Sequence, residues 1–578
     1  MATKKKTIAK KPVRKKKSPA IAVEPVVAPV SPPAVQEIVA PMANPDIEIG
    51  VYKRSTLLAV IALLLGWGFD FLFWEHSVGV NFAIFMSLCL LGGFYWLLSS
   101  GMKPARSGFW LFIPFLFFAI VTFLRQEPLT VFLAFTFTLL SAGLLGSSYL
   151  GGRWFQYGLL DYIYKFILLV VDMMVGVMGY IPKAQRTQAN SDTGKNGFPI
   201  WGLLRGLLFA LPIVICFGSL LAAGDLVFKE KLDDFLALDD LAENIFRGIL
   251  ILFYAYVLAG VLIHAALKSR DENLVGEKKP VISPFLGFTE STVILGSVSV
   301  LFLAFVIVQF QYFFGGETNI GVEGYTYSQY ARRGFNELVT VAFFSLVMIL
   351  GLSSISRRES ESQRRAYSIL SVAVVVLVIV ILVSAYQRIS LGIDWHGFSR
   401  LRLYPRVFLI WLGILLITVV VLEIVRRERY FAFAAALASV GFAVSLTLVN
   451  VDAAIVMHNV PRTLQGKNLN VAHLASLSPD AVPALADAFY SSAYSQDVHE
   501  GIGAALTCYL NDDSDYEESL SDWRSFNLSR WRAHNTLQKV EKYLQDYGVN
   551  DDRSWDVKVR TPGGVWYECD YYSGAEED

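Results

Sequence analysis

Eleven long apolar runs, each near twenty residues and separated by short polar clusters, leave this 578-residue chain few possible folds. They cover about 55–74, 79–99, 108–124, 129–150, 200–226, 246–268, 288–314, 334–355, 366–386, 402–425 and 429–449. A helix of about 20 apolar residues matches the ~30 Å hydrocarbon core of a bilayer. Lipid offers the backbone no hydrogen-bond partners, so such runs cross as helices. Only 17% of residues are charged, against about a quarter in soluble chains. Trp74, Trp96, Trp110, Trp201 and Trp411 stand near run ends, where indole rings favour the interface. The fold class expected is an all-α membrane protein, a polytopic transmembrane helical bundle of about eleven spans.

A twelfth stretch, 157–181, is long enough to cross but carries Asp161, Lys165 and Asp172. Spacings of 4 and 7 put these on one helical face. Each would cost roughly 2.5–3.5 kcal/mol at the bilayer centre. A charged strip of that kind fits a helix lying in the interface or packed against the bundle.

Charge asymmetry sets the orientation. With 157–181 not crossing and the N-terminus cytoplasmic, the inner loops hold Lys103, Arg106, Arg153, Lys183, Arg186, Lys195, Lys268, Arg270, Lys278, Lys279, Arg357, Arg358, Arg364, Arg365, Arg426, Arg427 and Arg429. The outer loops hold Asp233, Asp234, Asp239, Asp240, Glu243, Glu317 and Glu323. This positive-inside pattern predicts a cell-membrane protein with its C-terminus extracytoplasmic.

The flanks read differently. Residues 1–54 form a basic tail, from Lys4 to Lys17, and a Pro/Ala/Val linker. The expectation is a disordered cytoplasmic tail that can contact anionic lipid; nothing in it suggests nucleic-acid binding. Residues 451–578 read as a soluble, mostly helical domain. Ser478-Pro479-Asp480 is a helix-start signal. Helical pattern follows from Leu506 to about Tyr547, interrupted by an acidic loop at 512–518. Alternation around Pro562-Gly563-Gly564 marks a closing β-hairpin. Cys508 and Cys569 lie in this domain; an oxidising compartment would allow a bridge between them, and two buried thiols are the alternative.

Four stretches carry a family resemblance: FDFLFWEHSVGVNFAIF (69–85), VQFQYFFGG with YTYSQYARRGFNEL (308–316, 325–338), GIDWHGFSRLRLYPRVFLIWL (392–412) and NVDAAIVMHNVPR (450–462). In that order they resemble bacterial multi-pass membrane proteins defined by a domain of unknown function, numbered 4173, and by its relative 4153. The pattern departs at His396-Gly397-Phe398-Ser399. The resemblance implies a membrane location and no particular activity.

On this topology the resembling stretches share the outer face. Their polar residues form a candidate cluster: Asp70, Glu75, His76, Tyr330, Arg332, Arg333, Asn336, Glu337, Arg388, Asp394, His396, Arg400 and Arg402. Two readings compete: ion pairs between helices, or a pocket whose arginines bind an anionic headgroup or envelope ligand. Phosphate-cradling, zinc-protease, nucleophile-elbow and dinucleotide motifs are missing, and neither a cofactor nor a metal is expected. The functional expectation is a non-enzymatic envelope protein binding a ligand, lipid headgroup or partner at its outer face. A transporter or lipid translocase, and an enzyme acting on a lipid-linked substrate, are the alternatives.

Overall fold

The computed structural model describes residues 45–191, 200–225, 227–229, 231, 241–271, 274–275, 284–314, 335–550 and 557–569. The basic tail lies outside them. The linker ends sooner than expected, because Pro45–Lys53 is already helical (α1). Its Val51 and Tyr52 are buried, and this apolar contact repays the ordering of the backbone.

The bundle follows as α2 Ser55–Phe73, α3 Val80–Ser99, α4 Phe112–Leu124 and α5 Pro128–Ser147. Next come α6 Leu159–Val171 and α7 Val177–Ser191, joined without a break by the π-helical turn Asp172–Gly176. Then come α8 Ile200–Gly224, α9 Leu241–Leu267, α10 Phe288–Phe314, α11 Phe335–Ile355, α12 Glu361–His396, α13 Arg400–Val425 and α14 Phe431–Val449. Eleven helices among the described residues are long and apolar enough to cross a membrane. Leu159–Thr187 is one of them, whereas α8 is represented only by a shorter apolar stretch, Pro212–Gly224.

Side-chain pairings fix which helix ends lie together. Helices α2 and α9 run antiparallel, with Asp70 against Arg247 and Trp74 against Glu243. The start of α10 meets the end of α11 through Ser291 and Ser356, and the end of α13 meets the start of α12 through Glu423 and Ser368. One end of the bundle therefore gathers Arg153, Lys268, Arg357, Arg358, Arg426 and Arg429, and is called the basic end below. The opposite end carries the C-terminal domain and is called the domain end.

The α6–α7 segment meets the bundle from the basic end as far as the middle of α9, where the Tyr256 hydroxyl donates to the Met174 carbonyl. Lys165 bonds Asp271, just past α9, while Phe166 and Leu169 pack on Gly143, near the end of α5. Asp172 bonds His264 and Lys268, and the Tyr180 hydroxyl donates to the Val51 carbonyl. Gly260 permits this crossing, since a Cβ there would stand 2.7 Å from the Asp172 carbonyl oxygen. Leu160, Val170 and Met174 of this segment are exposed.

The C-terminal domain comprises α15 Val451–Asn459, α16 Val471–Ala475, α17 Val482–Phe489, α18 Gln496–Ser521 and α19 Leu528–Val540. A three-stranded antiparallel sheet follows: β1 Gly548–Asn550, β2 Lys558–Arg560 and β3 Trp566–Glu568. The expected hairpin is β2–β3. Strand β1 is an addition, and α18 runs unbroken through the acidic stretch expected to be a loop. That helix is anchored by wholly buried Ile502, Ala505, Leu506 and Cys508, so packing outweighs the weak helix preference of the Asn-Asp-Asp-Ser sequence that follows. The Cys508 and Cys569 sulfurs are joined, with Cα atoms 5.6 Å apart. The domain core is continuous with Leu403 of α13 and Leu446 of α14.

Candidate functional site

The polar residues of the domain end organise the joint between bundle and domain. Its centre is Arg400, in the first turn of α13, and Asp452, in the first turn of α15. Nε and Nη2 of Arg400 donate to the two Asp452 oxygens at 2.8 and 2.6 Å. The Asp452 side chain is 0% exposed, and the Ser478 N–H adds a third bond at 2.8 Å. Such a fork satisfies a buried carboxylate that would otherwise be costly. His473 is half-buried beside this pair, and its buried Nε2 lacks a hydrogen-bond partner. Burial holds its pKa below the ordinary histidine value, and the charges of Arg400 and Arg402 press the same way.

A second contact caps a membrane helix from outside. Glu127 is the N-cap of α5, accepting from the Leu129 and Thr130 N–H groups at 2.9 and 2.8 Å, as first-turn donors require. The Gln126 and Glu127 N–H groups donate to Asp480 of the domain at 2.7 and 3.0 Å. Arg125 stands 3.7 Å from Asp480, and Tyr404 donates to Glu127. Burial raises the Asp480 pKa against the pull of these donors.

A third contact joins the α2–α3 turn to the domain. His76 Nε2 lies 3.0 Å from Asp522, which Arg524 also grips. The bonds from Arg524 hold the Asp522 carboxyl well below the usual carboxylate range. Arg524 Nη1 donates to the Phe71 carbonyl at 2.9 Å.

The remaining candidates scatter over other contacts. Asp70 is buried and paired with Arg247 of α9. Glu75 is exposed, in a turn with φ 56°. Arg388 donates to Gln309 across α10 and α12. The Asp394 carbonyl accepts from Arg462, and His396 is exposed. Arg402 donates to the Gly397 carbonyl, while Asn459 bonds both backbone groups of Phe398. Gly397 has φ 83°, and a Cβ there would strike Arg462 and Asn459; glycine accepts both demands. Glu337 is exposed. Tyr330, Arg332 and Arg333 lie outside the described residues, as does the side chain of Asn336. Arg400 is thus engaged by Asp452, and the other described candidate arginines, Arg388 and Arg402, serve separate contacts.

Sequence reasoning missed Arg125, Glu127, Arg247, Asp452, His473, Asp480 and Asp522. Each lies against groups brought in from distant stretches of chain, which spacing cannot disclose. The one available sign was the density of charge at the ends of apolar runs.

A second polar layer lies at the basic end. Asp172 accepts from His264 and Lys268, both at 2.7 Å, and His264 is fully buried. Asp271 takes Lys165 at 2.9 Å and the Tyr157 hydroxyl at 2.6 Å. Asp161 caps α6 by accepting from the Gly158 N–H, and also takes the Val275 N–H. The charges at spacings 4 and 7 therefore face inward and are paired, as a strip packed against the bundle requires. Among the described residues, no group of three or more His, Cys, Asp or Glu side chains could hold a metal ion.

These features define a multi-pass helical membrane protein with a folded domain docked on one end. Residues 112–488 match the family described as a domain of unknown function (DUF4153), and the chain belongs to that family. Neither a curated protein nor a solved structure matches it.

Proposed function

We propose that the chain is a non-enzymatic protein of the cell envelope whose C-terminal domain forms a fixed extracytoplasmic platform for a ligand, lipid headgroup or partner protein. The observation that carries this reading is how the domain-end charges are used. Arg400 with Asp452, Arg125 with Asp480 and His76 with Asp522 bind bundle to domain, so their carboxylates are occupied by structural bonds rather than held ready for acid–base work. On the domain surface, Tyr490 and Tyr543 stand edge to face at 5.8 Å, both exposed. Exposed aromatic pairs of this kind are frequent binding anchors.

Two features support the orientation. The arginine-rich loops share one end, and the disulfide lies in the domain at the other, where an oxidising compartment would preserve it. On this reading α6–α7 lies along the cytoplasmic face and α8 supplies the remaining crossing. The kinship with 4173 rests on the four resembling stretches and is proposed with it.

The test is crosslinking-coupled purification of the full chain from native membrane, wild type beside Tyr490→Ser/Tyr543→Ser. The platform reading expects crosslinks on the domain surface that the double variant loses. Crosslinks confined to mid-bundle positions would favour a transporter instead.

A further inference from the structure

A cavity of about 1130 Å³ lies in the basic-end half of the bundle, between α4, α5, α6 and α14. It exceeds the ~300–1,000 Å³ of ordinary small-molecule sites. Phe118, Phe137, Phe166 and Ala436 contribute to its walls, and polar atoms are nearly absent. Trp110 and Leu140, also in its lining, are exposed on the lipid-facing side of the bundle. A polar molecule would find no hydrogen-bond partner there, whereas hydrocarbon could enter from the bilayer.

The rim has a defined charge. Trp154 and Phe155 line the cavity, and Trp154 is fixed by donating to the Ser107 carbonyl at 3.0 Å. The next residue, Gln156, is gripped from two sides. Arg153 Nε donates to its side chain at 3.1 Å, and Arg429 Nε to its carbonyl at 2.8 Å. Arg429 Nη2 makes no hydrogen bond and stands 3.9 Å from Asp161. The carboxylates nearby are Asp161, Asp271 and Glu428, the last paired with Arg358 at 3.6 Å. Asp271 already holds Lys165, and Arg106 and Arg427 are exposed at the same end, so the rim keeps a positive surplus.

We propose that this cavity is a binding site for a phospholipid of the basic-end leaflet, its acyl chain between α4, α5 and α14 beneath α6 and its anionic headgroup beside Arg153 and Arg429. Charge complementarity at the rim selects an anionic lipid over a zwitterionic one. The site is separate from the domain-end joint and does not depend on the platform reading.

The test uses the full chain in nanodiscs with phosphatidylglycerol carrying a photoreactive group on its acyl chain. Adducts should concentrate on Phe137, Leu140, Phe166 and Ala436 rather than on exposed Leu301 and Ile424 elsewhere on the bundle. Unlabelled phosphatidylglycerol should compete better than phosphatidylcholine. Arg429→Gln should reduce that preference about fivefold, the effect of one basic residue near an anionic surface. Ala436→Trp should fill the cavity and abolish these adducts; if that variant does not fold, the competition in the wild type decides. Adducts spread evenly over the bundle, equal competition by the two lipids, or a crosslinked protein in place of lipid would each overturn the proposal.

Discussion

Arg400 forks onto Asp452 across the boundary between membrane bundle and C-terminal domain, with the carboxylate wholly shielded from solvent. Removing one partner of such a pair strands the other, at a cost of roughly 3–5 kcal/mol. Arg400 keeps a 26% exposed side chain, so Asp452→Ala should fall near the lower figure, about 3 kcal/mol. Thermal unfolding in detergent would register it. Replacing both residues by leucine should cost less than Asp452→Ala alone.

The Asp480 cap makes a different prediction. The Gln126 and Glu127 N–H groups both donate to Asp480 Oδ2, and Asp480→Asn removes the charge that strengthens those bonds. The bond weakens by about 1–2 kcal/mol, as for other lost caps. Because α5 starts there, hydrogen exchange at 126–131 should rise while exchange deep in α18 stays unchanged.

The disulfide closes a sequence separation of 61. Loop-closure entropy assigns it about 4 kcal/mol, and the effect should be confined to the domain. Cys508→Ser/Cys569→Ser should make the domain protease-sensitive and leave the bundle folded. Thiol labelling of unreduced, denatured wild type should modify Cys89 and Cys216 only; labelling of all four would rule out the bridge.

His473 predicts a pH dependence. Its folded pKa is depressed by burial and by Arg400 and Arg402, so the folded protein disfavours the imidazolium. Its contribution to stability is complete above the unfolded value, about 6.5, and is lost as pH falls below it. The joint should loosen on mild acidification, and His473→Gln should flatten the profile of unfolding temperature against pH between about 7 and 5.

Much of the architecture could be read from residue order. Runs of twenty apolar residues have one stable form in lipid, and Asp161, Lys165 and Asp172 pointed to a one-sided helix because helical spacing is local. The hairpin was legible from Pro562-Gly563-Gly564. Strand β1 was not, since Gly548–Asn550 is too short to show alternation. The acidic stretch of α18 looked like a loop because its propensities are local, whereas the burial of Ile502 to Cys508 that carries the helix is not. At the joint the individual charges were visible but their partners were not. Arg400 and Asp452 are 52 residues apart, Gln126 and Asp480 are 354 apart, and no periodicity links such distances.

The central claim is that α6–α7 lies along the basic end, leaving the docked domain outside the cell. A reporter active only in the cytoplasm, fused after Asp578, tests it most directly, paired with one active only outside. The account predicts activity from the external reporter and none from the cytoplasmic one. Activity of the cytoplasmic reporter alone would contradict it, inverting the map of both faces.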